Sequence, residues 1–133
     1  MGFSEVYNYS FISAKDLENF NFKKDNCVKI ANPLSQEWEY MRPSLVPSIL
    51  KTITDNENNF SKMKVFELSN VYQKRKNKAL MIDEILMLVG ALVDKDDKNL
   101  FFQAKGVLES LFEDLGIFNF EFKAREKNID IVL

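Results

Sequence analysis

The sequence predicts an α+β domain: a mainly antiparallel sheet flanked by two substantial helices. Three observations carry this. Residues 4–12 alternate with period two, so that Tyr7, Tyr9 and Phe11 share one face. Two apolar segments, Lys64 to Tyr72 and Ile85 to Val93, lie on either side of a short basic loop, which suits neighbouring antiparallel strands. Two longer stretches, from Ser44 and from Leu100, carry their apolar residues at helical spacing instead.

The elements follow in order. After the strand over residues 4–12, Ser13 is placed as an N-cap, with Asp16 at the position of a capping box. That short helix gives way to the polar residues 21–26, and Cys27 to Ala31 forms a second short strand. Asn32-Pro33 ends it, because proline has no backbone N–H and biases its predecessor to extended geometry. Leu45, Ile49 and Ile53 recur at i, i+4 and i+8 with Val46 and Leu50 beside them, a broad apolar helical stripe. Ser44 can cap this helix, and Pro47 falls in its first turn, where a missing N–H costs nothing. Polar residues end it near Asn58 or Asn59.

Beyond the strand pair, a helix is predicted from Leu100 to Leu115. Its stripe comprises Leu100, Ala104, Val107, Leu108, Leu111, Phe112 and Leu115, and Gly116 stops it. Phe118, Phe120 and Phe122 alternate with polar residues as another strand, and the chain closes on the apolar run from Ile129. No internal repeat interrupts this order. At 133 residues, 46% hydrophobic and 29% charged, residues 1–133 read as a single domain able to bury a core.

Composition excludes much. The chain has no histidine and one cysteine, Cys27. This removes imidazole acid–base chemistry, histidine-dependent triads, histidine-containing zinc sites and four-thiolate metal sites. Nor can an internal disulfide form, which fits a reducing, cytoplasmic setting. A net charge of −2 with mixed signs is unlike the basic face of a dedicated nucleic-acid binder. No apolar run reaches the roughly 18 residues of a membrane span. Glu5 follows Met1-Gly2-Phe3-Ser4 where a signal peptide would need a basic and then an apolar region. Chemistry would have to rest on carboxylates, Lys, Arg or Tyr.

Several landmarks occur in a recognisable order: Asn32-Pro33-Leu34-Ser35 with Glu37, Met41-Arg42-Pro43-Ser44-Leu45-Val46-Pro47, Phe66-Glu67 with Val71-Tyr72, and Phe101-Phe102-Gln103-Ala104-Lys105-Gly106. The opening Gly2-Phe3-Ser4-Glu5-Val6, with Tyr9-Ser10-Phe11, precedes them. Each is weak alone; together, over nearly the whole chain, they resemble the beta chain of phenylalanyl-tRNA synthetase in its synthetase-like, non-catalytic domain. Pro43, where the family more often has threonine, departs from the pattern and stiffens the entry to the helix. The resemblance implies a class II synthetase-like fold, here a fragment of a longer beta chain truncated at its C-terminus. It also implies an assembly of two alpha and two beta chains. In that assembly the alpha chain joins phenylalanine to its tRNA with ATP and magnesium, and tRNA is met through the complete complex.

Within that frame no catalytic, cofactor-binding or metal-binding residue is assigned to this chain. Class II chemistry needs an arginine on a central strand to hold the ATP α-phosphate. Leu86, Met87, Leu88, Val89 and Gly90 stand in the corresponding region, and a floor of Met and Val cannot orient a triphosphate. The glycine-rich strand with its terminal arginine is also missing. Trp38, Tyr40, Met41 and Arg42 are residue types enriched at interface centres and are the candidate subunit contact. Leu45, Ile49 and Ile53 are assigned to the core. Lys74, Arg75, Lys76 and Lys78 form a possible basic contact loop for a phosphate backbone or acidic partner, or simply a solvated hairpin tip. Glu67, inside an apolar strand, either pairs with a cation such as Arg42 or lies on an exposed face. Glu5, Glu37 and Glu39 have no spacing that favours a metal over surface charge. The role expected is assembly without catalysis. The alternatives are a free-standing class II-like module binding tRNA or an amino acid, and an active ligase domain.

Overall fold

The computed structural model describes residues 1–75, 81–124 and 129–132. It divides into two compact units: Gly2–Lys95, and Asp96–Leu133 together with Met1.

In the first unit the predicted strand pair dominates. Strands β4 (Lys62–Lys74) and β5 (Ile82–Asp94) pair antiparallel over their full length, with Glu67 opposite Val89 and Leu68 opposite Leu88. Each is longer than its apolar stretch, because ladder hydrogen bonds continue into the charged ends once the centre is paired. Strand β1 (Ser4–Glu5) adds in parallel to β4, giving the order β1-β4-β5. Strand β2 (Phe11–Ile12) pairs instead with β3 (Tyr40–Met41) in a separate antiparallel ribbon.

The continuous strand expected over residues 4–12 is therefore broken. Val6 still donates its N–H to the Phe66 carbonyl at 2.9 Å. At Asn8, however, the side chain turns to Glu67 and Thr52, and the chain leaves one sheet for another. Period two survives a bend of this kind, so the alternation gave no warning of it. The strand expected over Cys27–Ala31 is reduced to a single bridge, Lys29 opposite Tyr40. Backbone bonds from Ile30 to Glu39 and from Met41 to Val28 flank that bridge.

Helix α1 (Ala14–Asn19) begins as predicted: the Asp16 N–H donates to Ser13 Oγ at 3.0 Å, and Ser13 Oγ donates to Asp16 Oδ2 at 2.7 Å. Leu17 from this helix joins Ile12, Cys27 and Tyr40 in a small core with Ala14 and Phe22 against it. Burial pushes the Cys27 thiol up from its ordinary pKa, partly offset by the Lys74 charge.

Helix α2 (Val46–Asn56) lies against β4 and β5, with Pro47 in its first turn. It starts two residues after the predicted cap. Leu45 occupies the cap position with helical dihedrals, while Ser44 Oγ accepts the Val46 N–H at 3.2 Å. Leu45 and Ile49 are buried, and Ile53 is half-buried. Val46 and Leu50, expected beside them in the stripe, are 42% and 43% exposed. The buried seam is narrower than the apolar stripe.

In the second unit, helix α3 (Leu100–Asp114) ends in a Schellman turn. Gly116 at φ +74° donates to the Glu113 carbonyl at 3.0 Å, and Ile117 donates to that of Phe112 at 2.8 Å. Among the described residues nothing lies within 4 Å of a Cβ built on Gly116. Gly116→Ala should thus cost only its left-handed backbone, about 1 kcal/mol. A loss of unfolding free energy in urea denaturation larger than three times that amount would show that the turn carries packing as well. Strands β6 (Glu121–Ala124) and β7 (Ile129–Val132) pair antiparallel. The strand predicted from Phe118 begins only at Glu121. Phe118 is exposed, while Phe120 sits edge-on to Phe112 and Phe122.

Candidate functional site

Arg42 ties together the first unit. Its N–H donates to the Ser10 carbonyl at 2.9 Å, and its own carbonyl accepts from Tyr72 of β4 at 2.9 Å. Pro43 follows, which biases Arg42 to extended backbone before the chain turns into α2. The side chain is 0% exposed. Its Nη1 donates to Glu67 Oε1 at 2.7 Å and to the Asn8 carbonyl at 3.4 Å, and Nε donates to the Asn70 carbonyl at 3.2 Å. Asn8 Nδ2 donates to Glu67 Oε2 at 2.8 Å, and Thr52 of α2 donates to Asn8 Oδ1 at 3.0 Å. Of the two sequence readings of Glu67, the buried pair is found, at 1% exposure. Arg42 Nη2 has no hydrogen-bond partner among the described residues. The network is a structural clamp: both carboxylate oxygens of Glu67 are engaged from inside the chain, and its partner Asn8, with Thr52, lies at the edge of the groove beside it.

Beside the clamp lies an open groove of about 970 Å³, between the N-terminal segment, the turn Gln36–Trp38 and α2. Trp38 forms its aromatic wall with Tyr9 and Phe11, at ring-centroid distances of 5.4 Å and 6.0 Å. Tyr9 is 72% exposed, and Pro47 and Leu50 line the α2 side. The candidate interface residues thus separate. Tyr40 is part of the small core and Arg42 is wholly internal, so burial leaves neither a face to offer. Trp38 and Met41 are half-buried and keep one. Tyr9 and Phe11 were missed by sequence reasoning. Their alternation marked a shared face but could not show that Trp38 stacks on it.

The basic loop is partly spoken for. Lys74 Nζ donates to the Asp25 carbonyl at 2.9 Å. Arg75 Nε donates to Asp83 Oδ1 at 2.9 Å, and the Arg75 guanidinium hydrogen-bonded to Asp83 holds that carboxyl below its usual range. Lys76 and Lys78 lie outside the described residues.

The β4–β5 face turned away from α2 is apolar at its centre. Cross-strand pairs alternate, so Phe66, Leu68 and Asn70 share it with Gly90, Leu88 and Leu86. Leu68, Leu86 and Leu88 are exposed there. Met87 and Val89, expected in the floor, instead lie opposite Ser69 and Glu67, on the inner face. The floor is leucine rather than Met and Val, for the simple reason that strand parity sends odd-numbered residues inward. Neither face carries an arginine or lysine between Val65 and Tyr72 or between Ile85 and Val93. Among the described residues no group of three His, Cys, Asp or Glu side chains could hold a metal, and no helix is long and apolar enough to cross a membrane.

Comparison with known proteins converges on one family. The model of the phenylalanyl tRNA synthetase beta chain CLM domain matches residues 1–130. The phenylalanine–tRNA ligase beta subunit of Fusobacterium nucleatum is 34% identical over 140 aligned residues, covering 96% of this chain and 17% of that protein. That of Carboxydothermus hydrogenoformans is 34% identical over 135 residues, covering 93% and 17%. The chain therefore spans about a sixth of the length of these relatives. Among solved structures, pyrrolysyl-tRNA synthetase from Desulfitobacterium hafniense superposes with a TM-score of 0.81 at 17% identity, covering 99% of this chain and 50% of that one. An ATP phosphoribosyltransferase regulatory subunit/histidyl-tRNA synthetase from Bacillus halodurans gives a TM-score of 0.72 at 13% identity, over 91% of this chain and 31% of that one. At such identities the likeness speaks for the fold, which is class II synthetase-like. The chain belongs to the phenylalanyl-tRNA synthetase beta chain CLM domain family.

Proposed function

We propose that this chain is an assembly domain of a phenylalanine–tRNA ligase, silent in catalysis, that packs on the alpha chain carrying the active site. ATP and magnesium serve the parent complex and not this domain, the assembly is of two alpha and two beta chains in the cytoplasm, and tRNA is met through the whole complex. One observation carries the reading. The sheet face on which a nucleotide would have to rest presents Leu68, Leu86 and Leu88, with no cation at its centre. An ATP triphosphate needs positioned positive charge, and leucine supplies none. What the chain does supply is a scaffold: a thirteen-residue strand pair clamped by Arg42 and Glu67 and tied to α2 through Asn8 and Thr52. Half-buried Trp38 and the exposed apolar side chains Val46 and Leu50 support a contact on this side of the scaffold.

The test is co-expression with a phenylalanine–tRNA ligase alpha chain followed by size exclusion, alongside calorimetric titration of the chain with ATP and magnesium. Co-elution and no binding heat at millimolar ATP are expected. Micromolar ATP affinity would overturn the silent-site reading, and separate elution the assembly reading.

A further inference from the structure

The groove walled by Tyr9, Phe11 and Trp38 has an acidic rim. Four carboxylates line it against two lysines. Asp16 is engaged with Ser13, but Glu37 and Asp55 are exposed and make no ion pair with another described residue, and Glu39 stands beside them. An aromatic wall beside carboxylates that form no ion pair with a described residue is complementary to one kind of side chain, a cation on a long apolar stem. Its head meets ring faces and carboxylates, and its methylenes lie against Pro47 and Leu50.

From this complementarity we infer that the groove is the seat of an arginine- or lysine-bearing segment of the partner chain, with the cation held against Tyr9 and Trp38 and steered in by Glu37, Glu39 and Asp55. This rests on the assembly reading above and gives that contact its chemistry. The rim's charge disfavours a nucleic-acid strand, whose phosphates would face the carboxylates. A second copy of this chain would likewise set acid against acid. Tyr, Trp and Arg are the residues that dominate interface energetics when they meet in a partly enclosed site. Acidic rims act chiefly on the rate of encounter and its salt dependence.

Trp38 is the sole tryptophan, so its fluorescence reports on the groove directly. The chain is titrated with a twelve-residue peptide alternating arginine and leucine, and with its glutamate-for-arginine counterpart. Only the basic peptide should change the Trp38 emission. Its affinity should fall about tenfold in Tyr9→Ala, and about tenfold, with loss of salt dependence, in the triple variant Glu37→Gln/Glu39→Gln/Asp55→Asn. These side chains are outside the core, and an unchanged far-UV spectrum checks folding. Equal response to both peptides, or unchanged affinity in both variants, overturns the inference. The same variants are then offered the alpha chain. Weakened co-elution supports the groove as the contact. Alpha chain retained as firmly as by the parent overturns the groove and leaves the assembly reading standing. An alpha chain that ignores the unmodified protein overturns the assembly reading, and the peptide titration alone then decides the groove.

Discussion

Arg42→Met is expected to destabilise the chain by about 3–5 kcal/mol, as seen when one partner of a buried ion pair is removed. Methionine fills much of the space of the arginine stem, so the loss is electrostatic more than steric. It strands the Glu67 carboxylate at 1% exposure with only the side-chain amide and backbone N–H of Asn8 as partners among the described residues. It also frees the carbonyls of Asn8 and Asn70. For a small domain whose whole stability is of order 5–15 kcal/mol, this loss is between about a fifth and the whole of it. Urea denaturation followed by circular dichroism gives the number.

The double variant Arg42→Met/Glu67→Met separates the worth of the pair from the cost of breaking it. Two apolar residues of similar volume owe no desolvation, and the native pair is imperfect because Arg42 Nη2 has no partner among the described residues. The double variant should therefore recover most of what the single one loses. A single variant within about 1 kcal/mol of the parent would mean that water reaches Glu67 and that the clamp is not dry.

How much of this was legible beforehand follows from the range of the forces involved. The Ser13 cap and the Gly116 stop are local, and the β4–β5 pair, although it reaches from Lys62 to Asp94, joins two apolar strands consecutive in the chain. The Arg42–Glu67 contact spans 25 positions, and sequence offered it only as one of two readings of Glu67. Asn8 gave no signal at all, since a polar residue in an alternating run looks like any outward-facing position. Yet its amide is what turns the chain from one sheet to the other. The aromatic groove was half visible: Trp38 was singled out by residue type, while its partners Tyr9 and Phe11 come from the N-terminal segment nearly thirty residues earlier. Parity misled in the outer sheet face because the apolar run in β5 is continuous. A continuous run does not say which of its residues points inward until Glu67 and Val71 are known to be buried.

Ile49→Asp is expected to unfold the chain, and Leu50→Asp to leave it folded. The two positions are adjacent on α2 and chemically alike, so the contrast isolates burial. Ile49 is 2% exposed where the helix meets β4 and β5, and Leu50 is 43% exposed along the groove. Removing the isoleucine side chain alone costs about 2–5 kcal/mol, and an unpaired carboxylate in that seam adds a desolvation penalty of several more. Together these are of the same order as the whole stability of a small domain. Leu45→Asp tests the same seam with a built-in opposing term. Leu45 is fully buried but sits at the N-terminus of α2, where the helix dipole favours aspartate by about 0.3–1 kcal/mol, although the helical dihedrals of Leu45 do not suit a capping bond. Burial is the larger effect, so Leu45→Asp should also unfold, whereas Val46→Asp, one residue on and exposed, should melt within a few degrees of the parent. Thermal melts of all four variants decide it. If Ile49→Asp and Leu45→Asp melt like Leu50→Asp and Val46→Asp, α2 does not lie on the sheet by this seam, and the scaffold proposed to carry the partner chain loses its keel.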